Sequence, residues 1–143
     1  MNTDDARRRI GRRGAVLLVL AFVDFVVGWS YVAPTDDVLR APNTLWREQW
    51  APAGVWGALW FGVGLLCLIA AFTRQDMIGY TAAVGLKLLW ATMEATGWIA
   101  GQIPLGYRPA IIWAGFAVLI MIVAGLREPN RGAAPPPGEG GTA

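Results

Sequence analysis

The stretch MIGYTAAVGLKLLWATMEATGWIA, residues 77–100, decides how the rest of the chain is read. It is a membrane-compatible run that nevertheless holds Lys87 and Glu94. Seven residues carry a helix through almost two turns, so both charges share one face, about 10 Å apart along the axis. Trp90 and Ala91 lie between them on that face. A charged group at membrane depth costs at least ~2.5 kcal/mol, so such groups face other helices and pair. The search for partners leads outward from this stretch.

Three further apolar stretches flank it, at Gly14–Ala33, Val55–Thr73 and Ala110–Leu126. Each has the length of a membrane-crossing helix. The first contains Asp24. Measured from the starts of their stretches, Asp24 and Lys87 both lie about 15 Å deep. Glu94 lies nearer the opposite side. An Asp24–Lys87 ion pair between the first and third stretches is the simplest arrangement, with Gly28 one turn along to allow close packing. Glu94 is then expected to snorkel or to bond to Thr92, Thr96 or Gln102. Asp24, Lys87 and Glu94 form the candidate buried charge network. The different depths of Asp24 and Glu94 argue against a carboxylate metal site.

Composition agrees with this reading. Of 143 residues, 55% are hydrophobic and 15% charged, where soluble domains carry roughly 25% charged residues. Histidine is absent, Ser30 is the only serine and Cys67 the only cysteine. One chain therefore builds neither a Ser-His-Asp or Cys-His nucleophile nor a Cys/His zinc site. No enzymatic activity, catalytic residue, cofactor or metal is expected.

Charge and aromatic placement orient the chain. With the N-terminus inside, the inner segments carry Arg7, Arg8, Arg9, Arg12, Arg13, Arg74, Arg127 and Arg131, and the outer segments only Arg40, Arg47 and Arg108. This bias places both termini in the cytoplasm, the N-terminal arginines being a topology signal and not a nucleic-acid site. Tyr31 and Ala33 make a poor cleavage site, and Asp24 interrupts the apolar core, so the first stretch reads as a span and not a cleaved signal. Trp29, Trp46, Trp50, Trp98 and Trp113 fall towards the outer ends or in outer connections, as interfacial aromatics do. In the long connection, Leu45, Trp46 and Trp50 recur at helical spacing, with Asn43 or Thr44 as N-cap. That segment reads equally as a short interfacial helix or as a loop with two anchoring tryptophans.

Small residues spaced four apart mark helix packing. Gly54, Ala58 and Gly62 do so in the second stretch, and Gly97 and Gly101 at the end of the third. Packing within the same chain is the first expectation for them, and dimerisation the second. The connection Thr73-Arg74-Gln75-Asp76 forces a tight antiparallel hairpin with Asp76 as N-cap.

The reading therefore predicts an all-α, polytopic integral membrane protein of the inner membrane, a four-helix transmembrane bundle with cytoplasmic termini. Residues 1–13 form a basic cytoplasmic tail, 14–127 the transmembrane domain and 128–143 a disordered Pro/Gly-rich tail. Its expected action is non-enzymatic, through helix association in a homo-oligomer or through another membrane protein, with the lipid bilayer as its medium. The alternative is a pore former or small ion or proton channel or transporter using the buried charges.

The size, the four apolar stretches, the arginine-rich start and the Pro/Gly-rich tail resemble small four-span membrane proteins of actinobacteria and their phages. The resemblance covers the layout of residues 7–128, involves no motif and carries over no site residue. In phages such proteins are often holins or proteins that exclude other phages. A holin would assemble in the inner membrane and permeabilise it. The basic C-terminal tail common in holins is reduced here to Arg127 and Arg131.

Overall fold

The computed structural model describes residues 11–73 and 76–125. Among them the chain is all-helical: α1 (Arg12–Val32), α2 (Asp36–Leu39), α3 (Pro42–Glu48), α4 (Ala53–Phe72), α5 (Asp76–Ile99) and α6 (Tyr107–Gly125). The four long helices match the four apolar stretches, each beginning one to three residues earlier than the apolar composition alone marks. Arg12 and Arg13, expected in the basic tail, belong to the first turns of α1. The rest of that tail, the tail over 128–143 and residues 74–75 of the short connection lie outside the described residues.

Helix ends follow local chemistry. Pro34 disfavours helical backbone at the residue before it, and α1 stops at Val32 with Ala33 as its cap. Pro42 opens α3 in its first turn and Ala41 is the N-cap, so neither Asn43 nor Thr44 caps it. Proline suits that position because its missing N–H has no intrahelical acceptor there. At the far end of α5, Gln102 N–H donates to Gly97 O at 2.9 Å and Gly101 N–H to Trp98 O at 3.0 Å. Gly101 has φ +71°. These bonds make a Schellman cap. Gly101 thus ends the helix and does not pack against another one, which corrects its expected role.

The long helices alternate in direction. Gly28 lies against Phe61 and Trp60, Gly57 against Tyr31, and Gly64 against Phe25 and the Ala21 carbonyl, which sets α1 antiparallel to α4. Gly79 sits on Ala70 and Cys67, setting α5 antiparallel to α4. α6 packs chiefly on α5, while α1 and α6 hardly meet. These approaches rest on Gly28, Gly57, Gly64 and Gly79. The stripe Gly54, Ala58 and Gly62 is exposed, and a Cβ on either glycine would meet no other atom. Among the described residues that stripe is therefore not a packing face: α4 is apolar on all sides, and its more crowded glycine face won the contact with α1.

Two clusters fill the interior. Leu17, Leu20, Ala21, Cys67, Ala70, Tyr80, Ala83 and Ile120 pack the end where α1 begins, and Trp56, Trp60, Leu86 and Trp90 pack the other. Meanwhile Phe22, Ile99, Ile111 and Ile112 are two-thirds or more exposed, at 68%, 78%, 67% and 67%. Three helices, α1, α4 and α6, are long and apolar enough to cross a membrane, with mean hydropathies of 2.2, 2.1 and 1.9. α5, at 24 residues, is longer than any of them but carries Asp76, Lys87 and Glu94.

Candidate functional site

The interior holds charge. One stripe of α5, running through Gly79, Tyr80, Ala83, Lys87, Trp90, Ala91, Glu94 and Gly97, is buried. The recurrence at three and four residues is that of one helix face. Lys87 Nζ donates to Asp24 Oδ1 of α1, and both side chains are wholly enclosed. Lys87 is also the cation above two indoles, with Nζ 4.3 Å from the Trp60 ring centre and 5.8 Å from that of Trp113. A desolvated cation over an aromatic face gains about 2 kcal/mol or more. Among the described residues, Asp24 Oδ2 and Trp60 Nε1 have no hydrogen-bond partner.

Glu94 is not part of this pair. Arg47 of α3 donates through Nη1 to Glu94 Oε1 at 2.6 Å. The side chains are 8% and 3% exposed. The hydroxyls once expected to serve Glu94 bond back along their own helix, Thr92 to Leu88 O and Thr96 to Thr92 O. In a helix these carbonyls are the nearest acceptors. Arg47 also lies over the Tyr31 and Trp90 rings, at 5.9 and 5.7 Å. Trp56 Nε1 donates to Ala51 O at 2.9 Å and to Arg47 O at 3.3 Å, which fixes the end of α3 against α4. A cavity of about 210 Å3 opens beside Glu94, lined also by Asn43, Ile103, Gly106 and Pro109.

The two ion pairs are separated by packed aromatics. Trp60 and Trp90 stand edge to face, ring centres 4.8 Å apart, and Trp56 meets Trp90 at 5.4 Å. Among the described residues, no side-chain hydrogen bond joins Asp24–Lys87 to Arg47–Glu94 across these rings. A third charge cluster ties the other end: Arg13 Nε pairs with Asp76 at 3.0 Å, Arg13 Nη2 donates to Ala124 O at 3.0 Å, and Tyr80 Oη donates to Arg13 O at 2.9 Å. The start of α1 and the end of α6 therefore share one end of the molecule.

The structure places the remaining candidates as follows. Gly97 is a tight contact, its α-carbon facing Ile103 and Trp46. Trp29, Trp50 and Trp98 are exposed, at 61%, 65% and 47%. Trp46 is half-buried on Gly97. Trp113 is half-buried, its ring 5.4 Å from Trp60 and beside Lys87. Sequence reasoning missed Arg47, Trp60 and Trp90. One signal was available. The apolar stretches contain two carboxylates and one lysine, so one carboxylate required a cation from a connection.

Comparison with known proteins finds no matching family model, no matching curated protein and no matching solved structure.

Proposed function

We propose that the chain is a four-span protein of the inner membrane, with both termini cytoplasmic, acting without catalysis through helix association or a membrane-protein partner. One observation carries the reading: polarity is inverted, with Asp24, Lys87, Glu94 and Arg47 buried and paired while large apolar side chains cover the outside. Such a surface is stable in lipid, where exposed apolar groups have no hydrophobic penalty and buried charges need partners. α5 counts as the fourth span on this reading because its charges are neutralised by α1 and α3. The arginine bias and the shared end of α1 and α6 support the cytoplasmic placement of both ends. The uncovered Gly54–Ala58–Gly62 stripe supports association, since small residues let backbones approach in lipid.

The second reading is a holin-like pore or small ion or proton channel or transporter. The charges at mid-depth favour it. The tryptophans packed between the two ion pairs favour a pore formed between chains over one inside a single chain.

Regulated expression in a bacterial host, with membrane potential followed by dye, separates the two. Association without a pore predicts an intact potential when the chain is verified in the membrane fraction. Abrupt collapse at a reproducible time contradicts that and establishes the pore reading.

A further inference from the structure

α1 and α6 do not close on each other, and what lies between them is shaped. A groove of about 340 Å3 is walled by Ala15, Val16 and Val19 of α1 and by Phe116, Leu119 and Val123 of α6. Val19 and Leu119 are 61% and 54% exposed, so the groove opens sideways. Its floor is the buried Leu20 and Ile120, and charge stands only beyond its end, where α1 begins. Arg13 spans from α1 to the Ala124 carbonyl of α6. Arg12, one turn before Ala15 and Val16, lies on the same face of α1, because residues three, four and seven apart align. Arg12 is exposed.

We propose that this groove binds one acyl chain of an anionic phospholipid, with the headgroup phosphate held by Arg12. The inference rests on the membrane reading above. Charge selects the ligand: Arg13 is engaged by Asp76 and the Ala124 carbonyl, and an apolar slot with the exposed Arg12 guanidinium beyond its end complements an apolar tail ending on a phosphate. The wall from Ala15 to Leu20 runs about 8 Å along α1, so the groove takes the part of one acyl chain nearest its headgroup, and that headgroup lies at the level of Arg12, at the end where the arginine bias places the cytoplasm.

The test uses the full chain reconstituted in phosphatidylcholine vesicles carrying spin-labelled phosphatidylglycerol or spin-labelled phosphatidylcholine. The motionally restricted fraction of each label is read by electron paramagnetic resonance. Phosphatidylglycerol is expected to be preferred about fivefold, since one basic residue beside an anionic lipid contributes roughly 1 kcal/mol. Arg12→Gln should abolish the preference. Val19→Trp, which fills the groove, should remove it, while Leu66→Trp on the exposed face of α4 should not. An inserted chain without preference, or a preference surviving Arg12→Gln or Val19→Trp, overturns the lipid site. So does near-complete disulfide dimerisation of Val19→Cys in a Cys67→Ala background, which would put a second copy in the groove. Release of the chain from the vesicles by alkaline carbonate overturns the membrane reading itself, so the two failures are distinguishable.

Discussion

At the residue scale the Asp24–Lys87 pair behaves as a unit. Removing one partner leaves the other charge buried and alone, at a cost of about 3–5 kcal/mol. Lys87→Met should therefore lower stability by roughly that amount, measured by denaturant titration in detergent micelles. Asp24→Asn with Lys87→Met should recover most of the loss, because no unpaired charge remains inside. If the double variant is as unstable as the single one, the pair is not the unit described. Arg47–Glu94 has a different task. It straps α3 to α5 near the end of that helix. Glu94→Gln should raise amide hydrogen exchange in α3 and leave α4 unchanged. The Asp24–Lys87 partnership was legible because depth follows from counting residues along two stretches. Arg47 was not, because a connection has no fixed depth and its arginine reads as a solvated charge until the chain is folded back.

At the scale of elements, glycines separate packing from exposure. A Cβ at Gly79 would stand 2.8 Å from the Ala70 Cβ, and one at Gly64 would stand 3.0 Å from the Phe25 ring. Gly79→Ala should destabilise by about 1–3 kcal/mol, the range for overfilling a packed site. Gly62→Ala, whose Cβ would meet nothing, should be neutral or stabilising by up to about 1 kcal/mol, the helix propensity difference. Thermal unfolding of both variants in one detergent makes the comparison. Gly62→Leu carries the association reading: it should reduce crosslinked dimers in membranes without lowering the melting temperature. The long helices were legible from length and apolarity. The direction of their small faces was not. In α4 two small-residue faces run side by side on a helix with no polar side, and spacing alone does not say which meets α1. Gly101 was misread for a related reason, since four-residue spacing also arises where a glycine merely caps a helix.

At the scale of the whole molecule, the contrast between buried charge and exposed apolar surface defines the protein, and composition had already hinted at it. The four-span topology turns on α5, whose charges set it apart from α1, α4 and α6. If α5 crosses, residues on its two sides face opposite compartments. Single cysteines introduced at Gln49, Arg74 and Gln102 in a Cys67→Ala background test this in intact cells with a membrane-impermeant maleimide. Gln49→Cys and Gln102→Cys should label from outside, and Arg74→Cys only after lysis. Labelling of Arg74→Cys and Gln102→Cys from the same side would contradict the four-span account.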